Sequence, residues 1–116
     1  MNEGTRACIA YVAGEAITGV QRPGIYDYSR TKHLTISGNI NGSRADFYDH
    51  SRGCHFGGSF PNLYDYGVGS YVSLQTNGNE FSGYDYGAGC HFSGSVNGHL
   101  VNVYDFSESS NYTFSL

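Results

Sequence analysis

The sequence predicts an all-β fold. The expected architecture is an up-and-down antiparallel meander of about twelve short strands with no α-helix, built from hairpin repeats of roughly 20 residues and closed as a flattened barrel or a two-sheet sandwich. Three observations predict it. Tyr-Asp recurs at 26, 48, 64, 84 and 104, at intervals of 22, 16, 20 and 20. Asn-Gly pairs stand between the units at Asn41-Gly42, Asn77-Gly78 and Asn97-Gly98. Apolar and polar residues alternate with a period of two, as a strand with one buried and one wet face requires. Residues 1–116 form a single domain on this reading, with a degenerate first unit over 6–24 and Tyr-Asp hairpin units over 25–116.

The elements follow in chain order. Strands near 7–13 and 15–21 flank Gly14-Glu15, and "QRPG" leads into Ile25. No helix is expected, because no segment repeats its apolar residues every 3.6 positions. Each later unit reads as a strand ending in Tyr-Asp, a short connection ("SRTK", "SRGC", "GVGS", "GAGC" or "SESS"), a second strand and a turn. The turns are the three Asn-Gly pairs and Pro61-Asn62. Asn-Gly fits a type I′ turn, whose two central residues both need positive φ. That geometry pairs Val96 with His99 and Ile40 with Ser43. Across the connections Tyr86 meets His91, and Asp85 meets Phe92.

Directly paired residues share a face, so the register divides the chain into two. Ile25, Leu34, Ile36, Phe47, Phe56, Leu63, Val72, Leu74, Phe81, Phe92, Val96, Val101, Val103 and Phe114 form a core face. Tyr26, Tyr28, Tyr48, Tyr64, Tyr66, Tyr84, Tyr86 and Tyr104 stand among Ser and Thr on a wet face. A round barrel of about twelve strands is too wide for these core side chains to fill, which is the reason to expect flattening.

Composition limits the function. Six Lys and Arg are scattered through the chain and the net charge is −4, so no basic patch exists to neutralise phosphates, and nucleic acid is not an expected partner. The first residues carry Glu3 and no long apolar run, so neither a signal peptide nor a membrane span is read, no membrane partner is expected, and the expected compartment is the cytoplasm. Cys8, Cys54 and Cys90 are an odd number, which fits reduced thiols.

Four groups of residues are candidates for chemistry. Asp27, Asp49, Asp65, Asp85 and Asp105 fall on the core side at one end of the hairpins. There they accept N–H bonds from the connections as turn residues, or converge at the mouth of a pocket and bind a hard cation. His33, His50 and His55 fall into one row on adjacent strands, a spacing at which imidazoles share a transition metal. "GCHF" occurs twice, but alternation sends Cys and His to opposite faces, so no nucleophile–base dyad is expected. Tyr26, Tyr48, Tyr64, Tyr84 and Tyr104 are the candidate ligand-binding residues, since Tyr joins rigid contact area to a hydroxyl.

The expected function is a non-enzymatic binding or interaction module working through the Tyr/His/Ser face or by oligomerising. Its partner would be a second copy, another protein or a carbohydrate, and no cofactor is expected. The alternatives are a small barrel enzyme or small-ligand carrier with a pocket at the Asp-lined end, and a weak metal site at the histidine row.

Overall fold

A computed structural model describes residues 1–116. Helix α1 (Glu3–Thr18) is followed by ten strands. They are β1 (Gly24–Asp27), β2 (Lys32–Asn41), β3 (Arg44–Asp49), β4 (Cys54–Ser59), β5 (Asn62–Asp65), β6 (Ser70–Asn77), β7 (Glu80–Asp85), β8 (Cys90–Asn97), β9 (Leu100–Asp105) and β10 (Ser110–Ser115). Each strand pairs antiparallel with the next, and β1 pairs with β10, so the meander closes as a barrel.

The helix corrects the reading of residues 7–21 as two strands, and reduces the strand number from about twelve to ten. Asn2 caps it, its side-chain oxygen accepting the N–H of Gly4 at 2.8 Å and of Thr5 at 3.2 Å. Gly19 ends it in the left-handed conformation at φ 70°, donating its N–H to the Glu15 carbonyl. Gly4 through Glu15 are all buried. The helix therefore runs through the barrel, with Ala7, Ile9, Ala10, Val12 and Ala13 packed into one core with Phe47, Phe56, Leu74 and Val103. A helix covered on every side needs no polar stripe, so its sequence carries no 3.6-residue period. It also solves the width problem: a helix fills the lumen, and the molecule stays near-round at 33 × 29 × 29 Å. Neither this helix nor any other segment is a helix long and apolar enough to cross a membrane.

The two faces fall where the alternation places them, but the register is displaced. Asn97 pairs with Leu100, Val96 with Val101 and Phe92 with Asp105. Ile40 pairs with Ala45, leaving Gly42-Ser43 as the loop. Asn41, Asn77 and Asn97 keep negative φ, while Gly42, Gly78 and Gly98 lie at 61–62°. The glycine is thus the first loop residue, the position type II′ turns assign to it, and the type I′ geometry is not adopted. Phe60-Pro61, joined by a cis peptide, takes the corresponding place between Ser59 and Asn62. At the other end Asp85 pairs with Cys90 and Tyr84 with His91. Each displacement is one residue on both strands, which leaves every side chain on its predicted face.

Candidate functional site

The Tyr-Asp motif builds two different structures on the two sides of the sheet. Its Asp points inward and its Tyr points outward, because neighbours along a strand face opposite ways.

The inward side is a ring of carboxylates. Asp27, Asp49, Asp65, Asp85 and Asp105 are at most 3% exposed. In all five units Oδ1 accepts the backbone N–H two residues ahead at 2.9–3.0 Å. In the first four it also accepts the N–H three residues ahead, at 3.2–3.4 Å. The fourth loop residue has positive φ every time, at Thr31, Gly53, Gly69, Gly89 and Ser109.

The free carboxylate edges meet the N-terminal end of α1, whose dipole favours negative charge. Thr5 donates its hydroxyl to Asp65 Oδ2 at 2.5 Å. Arg52 joins Asp49 through Nε at 2.7 Å and Asp65 through Nη1 at 3.0 Å. Arg30 pairs with Asp27 at 2.7 Å. Arg6 lies 3.3 Å from Asp105, as the Met1 amine does at 3.1 Å. The helix side of this network was not foreseen, because Thr5 and Arg6 lie just ahead of the residues read as strands and no helix was expected to carry them into the barrel. Asp85 alone has no ion pair.

The charges follow from these contacts. Burial pushes the Asp27 carboxyl up, but the Ser29 hydroxyl and Arg30 outweigh it and hold it below its ordinary value. At Asp105 burial is likewise outweighed, by Ser107 and the Met1 amine. At Asp85 burial dominates, and the N–H groups of Ala88 and Gly87 offset it only in part, so this carboxyl is raised. The Cys8 thiol is pushed well up by burial and by Asp49, 3.4 Å from its sulfur, so it is no nucleophile. The ring is packed against the helix, and none of the five main surface recesses is lined by any of its carboxylates.

The histidine row does not form. His33 pairs with Tyr26 across β1–β2, and His50 lies in the β3–β4 loop with Nε2 2.8 Å from Ser37 Oγ. His55 pairs with Tyr48. The displaced register puts a tyrosine where the second histidine was expected, and no group of three His, Cys, Asp or Glu side chains is placed to hold a metal ion. Cys90 faces inward, 3.9 Å from Asp105, while His91 lies outside against the Tyr84 ring, so the two do not form a dyad.

The outward side is a belt of rings. In every unit the motif tyrosine meets the first aromatic of its own loop edge-to-face, at 4.7–5.0 Å between centroids: Tyr26–Tyr28, Tyr48–His50, Tyr64–Tyr66, Tyr84–Tyr86 and Tyr104–Phe106. The five motif tyrosines are half-buried beneath loop partners that are themselves exposed. Over β3–β6 the contacts link up. His50, Tyr48, His55, Tyr66, Tyr64 and Tyr71 form an unbroken chain with spacings of 4.7–6.4 Å.

Beside that chain lies a surface groove of about 890 Å³. Its walls are His55, Tyr64, Tyr66 and Tyr71, and its polar end is Arg44, Asp46, Ser59 and Asn62. Its floor is the backbone of Gly57 and Gly58. Gly57 is bare for a structural reason: a Cβ there would sit 2.2 Å from the Ala45 carbonyl oxygen. A second groove of about 850 Å³, over β6–β10, is lined mostly by Asn, Ser, Gln and Thr. No family model, curated protein or solved structure matches the chain. Arg44, Asp46, Asn62 and Gly57 were not singled out from sequence. The signal available was the "GGS" at 57–59, where alternation loses a side chain beside a tyrosine-rich strand.

Proposed function

We propose that this chain is a non-enzymatic binding module whose working surface is the aromatic outer belt. The observation supporting this is the concentration of exposed rings at one end of the barrel, joined into a six-membered chain beside the β3–β6 groove. A ring locked by its neighbour gives contact area at little entropic cost, and Tyr adds a hydroxyl to orient a partner. The buried Asp ring serves this surface by fixing each loop and so the loop aromatic that caps each motif tyrosine.

The test uses Tyr66→Ser/Tyr71→Ser/Tyr86→Ser. These side chains are 63%, 57% and 61% exposed, so folding is retained. With no Trp in the chain, the emission is that of tyrosine, and nine of the eleven tyrosines stand on the outer face. Neutral glycans, peptides and the protein itself (by sedimentation velocity) are presented to wild type and variant. A ligand or self-association seen with wild type and lost in the folded variant supports the reading. Binding that survives in the variant refutes it.

A further inference from the structure

We propose that the groove over β3–β6 binds a neutral oligosaccharide, which deepens the binding-module reading and rests on it. The argument starts from charge. Among the outward strand positions only Arg44, Asp46 and Glu80 are formally charged, and the first two neutralise each other at 3.4 Å. Such a surface offers nothing to a polyanion or a polycation. It is also too polar for a lipid surface: outward residues of β2, β6, β8 and β10 are largely Thr, Ser, Asn and Gln. What remains is a ligand that hydrogen-bonds everywhere and carries no charge.

The groove supplies the two things a pyranose needs. Tyr64 and Tyr71 face each other across β5–β6, with rings 4.8 Å apart and 79° between their planes. Perpendicular rings cannot both turn their faces the same way, and Tyr71, 57% exposed, leaves aromatic surface open to a ligand. The polarised C–H groups of a sugar ring stack on the negative π-face of an aromatic ring. Ser59, Asn62 and the Arg44–Asp46 pair supply donors and acceptors for hydroxyls at the far side of the bare glycine floor. The volume of about 890 Å³ lies within the roughly 300–1,000 Å³ of small-molecule sites. The polar groove on the opposite strands extends the same chemistry round the barrel.

The experiment is a titration of the ¹⁵N-labelled full chain with gluco-, manno-, galacto-, xylo- and chito-oligosaccharides, with a heparin fragment as charged control. The expected result is a saturable shift of the Gly57, Gly58, Asn62 and Tyr71 amides with at least one neutral sugar, and none with heparin. Tyr71→Ala weakens that binding about tenfold, the loss of one stacking ring, while Tyr71→Phe stays within about threefold. Silence of the groove amides to every neutral sugar at about 10 mM overturns the proposal. So does binding unchanged in Tyr71→Ala. If the sugars fail but belt-dependent protein binding or self-association persists, the module reading stands and this inference falls. If both fail, both fall.

Discussion

Replacing Arg52 by Met tests whether the Asp ring is a buried ionic network or a set of independent turns. Arg52 is the only cation shared by two ring carboxylates, 2.7 Å from Asp49 and 3.0 Å from Asp65. Its side chain is 19% exposed and its partners 3% and 0%. Met keeps the stem and removes the charge, leaving two buried carboxylates without a cation. Removing one partner of a buried pair costs about 3–5 kcal/mol. Both carboxylates keep their loop N–H bonds and Asp65 keeps Thr5, so the expected loss is near the lower end, about 3 kcal/mol. A domain of 116 residues has roughly 6–17 kcal/mol in all, so the loss is a fifth to a half of its stability. At this size the melting temperature falls by about 10 °C. The assay is urea unfolding at pH 7 followed by far-UV circular dichroism, beside Arg52→Met/Asp49→Asn/Asp65→Asn. That triple variant has no uncompensated charge and recovers at least half the loss. A cost below about 1 kcal/mol for Arg52→Met, the level of an exposed pair, would refute the buried-network account.

Four further outcomes are expected. Asp85 has its folded pKa raised above the ordinary 3.8, so its charge destabilises the fold at neutral pH and the penalty fades as pH falls through the folded value. Asp85→Asn therefore raises the urea midpoint at pH 7, and the gain vanishes near pH 3. Asp27 and Asp105 are lowered, so their contribution is complete above 3.8 and is lost as pH falls through the folded values; their Asn variants lose about 1–3 kcal/mol at pH 7 and less in acid, read from the same titration. Thr31→Gly relieves a β-branched residue at φ 51°, a strain of about 1–2 kcal/mol, against about 0.5–1 kcal/mol of added chain entropy; the denaturant midpoint rises, and Gly69→Thr lowers it. Ala10→Leu overpacks a helix enclosed on all sides and costs about 1–3 kcal/mol by thermal melting, whereas Tyr71→Ser, at an exposed ring packed edge-to-face on Tyr64, costs about 0.5–1.5 kcal/mol.

The sidedness of the sheet was legible because it depends only on parity. Val96 belongs inside whether it meets His99 or Val101, so the displaced turns left core and belt intact. The turn type was not legible from Asn-Gly alone, since that dipeptide allows either residue to open the loop, and the strands settled on glycine first. The helix was illegible to a periodicity test because the barrel covers Ile9, Ala10, Tyr11 and Val12 equally. Its caps, Asn2 and Gly19, and its four alanines at 7, 10, 13 and 16 were the available signals. The belt tyrosines were visible as a set, and so were the turn aspartates. The groove was not, because it depends on a glycine floor and on residues from four strands meeting.

The seam of the barrel has a consequence for how the chain folds. β1 and β10 join through two residue pairs, Tyr26 with Ser115 and Asp27 with Phe114, whereas β9 and β10 share six. Every other strand contact is between sequence neighbours and forms by local hairpin closure, which is quick. A helix filling the lumen is enclosed most simply by a sheet that has not yet shut. The expected order is that the hairpins form, the open sheet wraps the helix and the shortest joint is made last, which pulsed hydrogen exchange during refolding checks. That joint is also where the closed ring gives way first, and its amides exchange with solvent ahead of those between β9 and β10.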